Sequence, residues 1–557
     1  MKTVLLLVLS LLCLTGCTRH APPTNDAPVV IAIEGDADSF NPLFAEEIIA
    51  GEINDLLFPA LVGSAFDTAR GVLVYTPLLA TRWERRDANR DIVFHLRGDA
   101  QWSDGVPVTA RDVRFSYELY GDPDVASVRQ SAVEGLRQKN GAPDVAGSVD
   151  VQDDTTVVFH FERSYPGQLF DAGLPIIPMH LLAGIPRKDL RTSEWNRRPV
   201  GSGPFLLSSW APLQEITLVP NVSSVLPAPA LVSLLRFRII PEYRSRVAQL
   251  RSGEVDIVSG LRAEDLPALQ NAGDIRVSVT PGRDYDFLGW NNIDPASFKS
   301  TPKKPRPHPL FGDPAVRRAL TMAINRKNII AAYLGGYGHE AVGPVSPLFR
   351  WAYNDTLTPL PCDPAEASRL LARAGWRDTD GDGVIDRNGR RFSFSMKVPS
   401  GNQMRATLAT VVQQALHDIG IDMSIDIVER GTFWEDVPQR KYDAFFAGFS
   451  VPLQMQFDDL WGSDLERYPF NLCGFRNARV DAILDDARQL VREEDGAALW
   501  KEFQEILQRE QPCTFLYWID TMTGIRTRVQ GVESGVLGLT HGAWLWRVDP
   551  GGQARPE

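Results

Sequence analysis

Apolar and polar positions fall into two alternating periods along the chain. Residues 29–34 form a short apolar run closed by Gly35-Asp36-Ala37-Asp38-Ser39, which predicts a buried strand and a turn. Residues 92–96 predict a second strand, running into Arg97-Gly98-Asp99. Thr109 predicts a helix N-cap, with Asp112 in capping-box position. Asp313-Pro314 predicts another helix start, since proline suits the first helical position. Its apolar face is Val316, Ala319, Leu320 and Ala323, the spacing of one helix stripe. A third helix begins at Asp363-Pro364 and stops at Gly375. Leu408, Val411, Val412, Ala415, Leu416 and Ile419 stripe a fourth, which ends at Gly420. Then Ile421, Met423, Ile425 and Ile427 alternate with Asp422, Ser424 and Asp426, the period of a strand with one wet face. Val480, Ile483, Leu484, Ala487 and Leu490 mark a late helix. This succession predicts an α/β, mixed α+β, fold. Residues 301–309 hold four prolines and four basic residues counting His308, and predict an exposed loop.

The first residues follow another pattern. A basic start, a short apolar core and small residues at 1–17 predict a secretory signal peptide. The apolar run is well short of the roughly 20 residues that span a bilayer. Leu14-Thr15-Gly16-Cys17 resembles the lipobox of bacterial lipoproteins, which implies cleavage before Cys17 and acylation of that residue. Residues 18–28 hold little that can pack and predict a tether. The expected location is therefore exported, on the outer face of the cell membrane or in the periplasm, held by lipid.

Composition narrows the function classes. The chain has 557 residues, 44% apolar and 23% charged, enough for a large globular core of several parts. Net charge is −12, no long basic run occurs, and nucleic acid is excluded as a partner. After Cys13 and Cys17, the thiols Cys362, Cys473 and Cys513 remain; they are either one disulfide and a leftover or three free thiols. No Cys/His ligand spacing, Gly-x-Ser-x-Gly elbow, His-Glu-x-x-His or Walker loop is present, so no enzyme activity and no tightly held cofactor are expected.

Several motifs stand in one order along the chain. Phe94-His95-Leu96-Arg97, Trp102-Ser103-Asp104-Gly105 and Pro107-Val108-Thr109-Ala110-Arg111-Asp112-Val113 come first. Ile177-Pro178-Met179-His180-Leu181, then Pro199-Val200-Gly201-Ser202-Gly203-Pro204-Phe205, then Gly253-Glu254-Val255-Asp256 follow. Pro309-Leu310-Phe311, Val316-Arg317-Arg318-Ala319-Leu320 and Ile324-Asn325-Arg326 form the next group. Ala374-Gly375-Trp376, Gly420-Ile421-Asp422, Tyr442-Asp443-Ala444 and Asn477-Ala478-Arg479-Val480-Asp481 close the series. In this order the motifs resemble the family 5 extracellular solute-binding proteins, the class that includes dipeptide- and oligopeptide-binding lipoproteins of ABC importers. The resemblance implies a periplasmic-binding-protein type II fold, two lobes with a hinge and an extra subdomain. It places the first lobe at 29–70, 198–289 and 513–557, the extra subdomain at 71–197, and the second lobe at 290–512. It implies a monomer that captures a peptide or similar small solute between the lobes and presents it to ABC permease subunits. The alternatives are a sensor or partner-binding lipoprotein with no permease, and a binder of sugar or of a metal chelate.

Most of these motif residues are expected to be structural. Trp102 should pack beneath the Asp104-Gly105 turn, and Gly201 and Gly203 should serve turn geometry. By analogy with the family, ligand contacts are expected at Phe40 and Asn41 and at Phe449, Ser450 and Val451. Tyr285, Trp290, Asn291 and Trp434 add aromatic and amide groups suited to a ligand cleft. In the peptide-binding relatives an aspartate just beyond a Gly-Trp pair holds the peptide's α-amino group. Here Phe449 replaces the tryptophan, Pro452 stands where the aspartate aligns, and the next acid is Asp458. Asp378, Asp380, Asp382 and Asp386 occupy positions one, three, five and nine of a calcium-loop pattern, with Gly383 at six. Gly389 stands at the twelfth position, where the pattern needs a glutamate, so the only cofactor expected is weakly held calcium.

Overall fold

The computed structural model describes residues 27–549. The expected signal peptide, Cys17, most of the tether and the last eight residues lie outside these. In chain order, strand β1 (Val29–Ile33) leads through the Asp36–Ser39 turn into helix α1 (Ile48–Leu57). A hairpin, β2 (Val62–Asp67) and β3 (Val72–Pro77), precedes a small antiparallel sheet. That sheet holds β4 (Ala80–Arg86), β5 (Asp91–Leu96), β6 (Val149–Asp153) and β7 (Thr156–His160), in the order β4-β5-β7-β6. Helix α2 (Ala110–Gly121) begins with the expected capping box between Thr109 and Asp112.

The main sheet continues with β8 (Phe205–Ala211), β9 (Glu215–Pro220), β10 (Leu235–Ile239) and β11 (Ile257–Ser259). Two long strands follow, β12 (Ile275–Trp290) and, much later, the C-terminal return Cys513–Arg526. Between them lie helix α3 (Pro314–Ala323), α4 (Arg326–Tyr333), strand β13 (Gly338–Glu340) and α5 (Pro364–Arg373). Strand β14 (Ser393–Pro399), helix α6 (Gln403–His417) and strand β15 (Asp422–Val428) form a parallel strand-helix-strand unit. Strand β16 (Ala444–Ser450) and helices α7 (Ala478–Ala487) and α8 (Ala497–Glu510) precede the return strand, here β17. One mixed sheet runs β8-β9-β10-β1-β11-β17-β12-β16-β14-β15, with β13 beside β17. The outcome is the mixed α/β class that the periodicity predicts.

The hinge lies where β12 and β17 cross together from one half of the sheet to the other. Their pairing is regular from Ile275↔Arg526 to Thr280↔Thr521, shifts, and resumes at Asp284↔Ile519. Gly282 sits in the shifted stretch, where a Cβ would meet the Ile519 carbonyl oxygen at 2.0 Å. Ile275 and Met522 pack with lobe I residues such as Leu250, whereas Tyr285, Phe287, Phe515 and Trp518 pack in lobe II. The crossing therefore falls inside the two strands and not at the expected edges near 290 and 512. The subdomain has no core of its own. Phe94, Trp102 and Tyr117 belong to the same buried cluster as Val29, Ile31 and Phe237 of lobe I. Within residues 301–309, His308 is buried, against the expectation of exposure. Its Nδ1 accepts from the Leu310 and Phe311 backbone N–H groups, and its ring stacks on Phe311.

The ordered motifs hold the halves of the chain together. Asp104 of the Trp-Ser-Asp-Gly turn contacts His180 Nε2 at 2.8 Å, and the Ser103 N–H donates to the Gly201 carbonyl. Asp112 Oδ1 accepts from the Met179 N–H, and Ser116 Oγ accepts from the Ile177 N–H. The Ser202 and Gly203 N–H groups both donate to the Leu57 carbonyl, which closes the C-terminus of α1. Arg317 donates to the carbonyls of Phe311, Glu510 and Gln511, and Arg326 to those of Ala341, Leu360 and Phe515. Buried guanidiniums with several fixed donors suit this work. Burial lowers the Arg317 guanidinium to about 10. Among the described residues no helix is long and apolar enough to cross a membrane.

Candidate ligand-binding site

Three adjoining cavities run from lobe I, past the subdomain, to lobe II. The first, about 450 Å³, is walled by Asp38, Ser39, Phe44, Asn196 and Trp210. The second is a shallow, open depression of about 500 Å³ that shares Glu46 with the first and is bordered by Val128 and Arg129. The third, about 590 Å³, shares Val128 and Arg129 and lies between the subdomain, at 131–174, and lobe II, at 454–500. The shared residues make one elongated groove of the volume class of small-molecule sites. Across the third cavity the Arg163 guanidinium reaches the Arg488 carbonyl. At the β2–β3 turn, Arg70 pairs with Glu494 at 2.7 Å, and Phe66 packs edge-on against Phe349.

The expected ligand residues fall into three groups. Phe40 and Asn41 are completely buried one layer behind the first cavity. Phe40 packs edge-on against Trp210 at 4.9 Å, and Asn41 Nδ2 donates to Asn196 Oδ1 at 2.9 Å. They shape the wall and do not face the space. Tyr285, Trp290 and Asn291 are core residues of lobe II. The Tyr285 ring lies 4.9 Å from Trp518, Trp290 Nε1 donates to Thr514 Oγ1, and Asn291 Nδ2 donates to the Tyr442 carbonyl. Tyr285 and Trp290 lie on central strand β12 and Asn291 directly after its end, and none of the three lines these cavities. Trp434 remains partly exposed beside Phe449, with ring centroids 6.3 Å apart, and Phe449 stacks on Phe287. Ser450 is exposed, while Val451 is buried and bonded to Arg283 through its N–H and carbonyl. The lining itself starts three residues further on, at Gln454, Met455, Gln456 and Asp458.

Charge in the third cavity is uneven. Asp458 is paired with Arg488 at 3.2 Å, and burial still raises its carboxyl. Burial pushes Asp171 up to about 7, against the lowering effect of the Tyr165 hydroxyl that donates to it at 2.5 Å. Burial and the neighbouring Glu494 push Glu493 up to about 7, against a hydrogen bond from the Met455 backbone N–H. The sequence offers no local signal for Asp171, Gln454 or Glu493. They stand on the subdomain and on two segments of lobe II, and only the tertiary fold brings them to one cavity.

The calcium-pattern acids are partly gathered. Ligand oxygens of Asp378, Asp380 and Asp382 lie within 4.8 Å of one another on an exposed turn. Asp386 is turned away and accepts from Thr379. Asp378 accepts from the Gly381 and Gly383 N–H groups, and Asp382 pairs with Arg391. Cys473 and Cys513 are buried neighbours, Cys362 is exposed, and all three are free thiols.

Two lobes on one mixed sheet, paired crossing strands and a groove between the parts define a type II periplasmic binding protein. The chain belongs to family 5 of the bacterial extracellular solute-binding proteins, whose middle region matches residues 74–461. It is 29% identical over 522 residues to the oligopeptide-binding protein AppA of Bacillus subtilis, covering 92% of this chain and 90% of that one. The solved structure of Bacillus subtilis AppA in complex with a nonapeptide superposes with a TM-score of 0.75 at 26% identity, covering 95% of this chain and 100% of that one. NikZ from Campylobacter jejuni, solved with Ni(L-His), shares the fold with a TM-score of 0.75 at 23% identity, covering 93% and 99%.

Proposed function

We propose that this protein is the peptide-binding subunit of an ABC importer, exported and anchored by lipid on Cys17. The observation that carries the peptide reading is the continuity of the groove. Glu46 joins its first two parts and Arg129 its last two, so its length suits an extended chain better than a compact solute. The nonapeptide complex of AppA supports the same reading. Closure of lobe II on lobe I and the subdomain would bury the ligand and present a closed surface to permease subunits. The family consists of solute-binding proteins, and the chain is read as binding its ligand without changing it.

Native mass spectrometry of the body at residues 18–557, purified under non-denaturing conditions, tests the ligand. Bound masses that fragment into peptide ladders support the reading. A bound sugar or metal chelate in their place would remove it. For the anchor, Cys17→Ser should move the protein from the membrane fraction to the soluble one; unchanged membrane retention would refute acylation there.

A further inference from the structure

Two thiols, Cys473 and Cys513, meet in the core of lobe II. Both are buried, and both belong to the cluster that holds Tyr285, Phe287 and Phe515. The Cys473 side chain contacts the Cys513 thiol, and both sulfurs act on the Tyr285 hydroxyl and on the Arg317 guanidinium. The backbone shows the same approach independently. Asn292 donates from its N–H to the Cys473 carbonyl at 2.8 Å and from Nδ2 to the Pro512 carbonyl at 2.9 Å. One residue just past the end of β12 therefore grips both segments. Cys513 also pairs with Gly289 in the β12–β17 ladder, and a Cβ at Gly474 would meet the Ile293 side chain at 2.9 Å.

Both segments are fixed from outside. Arg440 donates to the Asn471 and Leu472 carbonyls, and Asn471 Nδ2 donates to those of Gly462 and Phe475. Arg317 holds the Glu510 and Gln511 carbonyls just ahead of Cys513. Cys362 stands apart, exposed and beside Arg326 and Glu340. Among the described residues no third histidine, cysteine or carboxylate gathers with Cys473 and Cys513, so the pair lacks the ligand set of a structural metal site. The family is extracellular, and a chain that folds outside the cytoplasm folds where disulfides form and persist.

We infer that Cys473 and Cys513 are a disulfide pair, oxidised by a disulfide-bearing oxidant while the chain folds after export. The inference rests on the exported location read above. The structure holds the pair in its reduced form. In the reaction, one cysteine loses its proton and its thiolate attacks a sulfur of the oxidant, which expels one reduced thiol and leaves a mixed disulfide. The second cysteine, also as thiolate, then attacks the first cysteine's sulfur and expels the other reduced thiol. The pair gives up two electrons and two protons, and the oxidant's disulfide takes them up as two thiols. Once the core has packed, no oxidant reaches the sulfurs, so a chain folded in its reduced form keeps both thiols. The bond closes the loop 474–512 and so constrains the unfolded chain. It ties the turn at 471–475 to the start of β17, on the lobe II side of the hinge, and leaves the crossing at Gly282 free to bend.

The test uses the body at residues 18–557 carrying Cys362→Ser, which leaves only the pair. Protein unfolded in urea with reductant is refolded in mixed oxidised and reduced glutathione, and reduced native protein receives the same mixture. Remaining thiols are alkylated in denaturant and counted by intact mass, and the link is mapped by proteolysis without reductant. The refolded protein should show no free thiol, a mass lower by two hydrogens and a cross-linked peptide joining Cys473 to Cys513. The native protein should keep both thiols. The refolded form should unfold at a higher urea concentration than the reduced form, and C473A/C513A should unfold at one midpoint with or without reductant. Free thiols or glutathione adducts at both positions after refolding would overturn the pair. If Cys362→Ser does not melt cooperatively, the wild-type body is read in the same way, with one free thiol expected in place of none. Wild-type protein alkylated directly from exporting cells tests the location and should also show one free thiol. Three free thiols there, with pairing intact in the refolded protein, would fault the exported location and leave the pair standing.

Discussion

Asp256 and Arg528, 272 residues apart, are joined by two contacts of 2.6 Å each, from Arg528 Nε and Nη2 to the two carboxylate oxygens. Asp256 also accepts from the Val30 N–H, and Arg528 donates to the Pro28 carbonyl. The last acid of the Gly253-Glu254-Val255-Asp256 motif thus clamps the first strand and the C-terminal return onto lobe I. This clamp sits where the tether enters the fold.

The side chain of Asp256 is 1% exposed, so removing its partner leaves a buried, uncompensated carboxylate. Arg528→Met should destabilise the protein by about 3–5 kcal/mol. Asp256→Asn in the same chain should restore part of that loss, because the buried charge is then gone. Urea unfolding of both variants measures this; an R528M midpoint equal to that of the wild type would refute the clamp.

Gly201 and Gly203 test the structural reading of a second motif. A Cβ at 201 would lie 2.2 Å from the Leu57 carbonyl oxygen, and one at 203 would lie 2.3 Å from that of Leu56. Both obstacles are backbone at the end of α1 and cannot swing aside. Gly201→Ala and Gly203→Ala should each cost about 1–3 kcal/mol, as overpacking does. An unchanged melting temperature for either would show that the end of α1 yields freely.

Local signals carried most of the fold. The Thr109–Asp112 box, the Asp313 and Asp363 caps and the period-two strand after Gly420 each depend on neighbours in sequence, and each forms where its pattern predicts. The hinge position carried a local signal that the periodicity reading passed over: Pro281-Gly282-Arg283-Asp284 interrupts β12 where its pairing with β17 shifts, whereas β17 runs through the crossing without a comparable break. The site was least legible. Aromatic and amide residues such as Trp290 and Asn291 look alike in sequence whether they face a ligand or a core, and burial on a central strand decides for the core. The groove residues Arg129, Asp171 and Glu493 lie on separate segments whose meeting depends on how the subdomain packs against lobe II.

The three thiols should differ sharply in reactivity. Cys362 is exposed, whereas Cys473 and Cys513 are 4% and 0% exposed, and burial pushes the Cys513 thiol well up. The thiolate is the reactive form, so burial protects both inner thiols, and the raised Cys513 thiol is further protected by staying protonated. In the reduced body at 18–557, a chromogenic disulfide reagent should label one thiol in the native state and three after unfolding. Rapid native labelling of all three would contradict the packing around Cys473 and Cys513.

Proton uptake by Asp171 and Glu493 sets a pH dependence with a definite sign. Both carboxyls are held at about 7 in the fold, mainly by burial, and titrate near the ordinary carboxylate range of about 4 once unfolded. Between these values the folded protein binds more protons than the unfolded chain, so its stability falls as pH rises from about 4 to about 7. Above that range both states are deprotonated and the penalty is constant. Asn at 171 still accepts from Tyr165 but carries no charge to desolvate. Asp171→Asn should therefore melt higher than the wild type at pH 8, by about 1–3 °C, and with no such advantage at pH 4.5. Melting curves of empty wild type and variant across this range measure the effect, and an advantage for the variant that is equal at both ends would show that the Asp171 charge is not its cause.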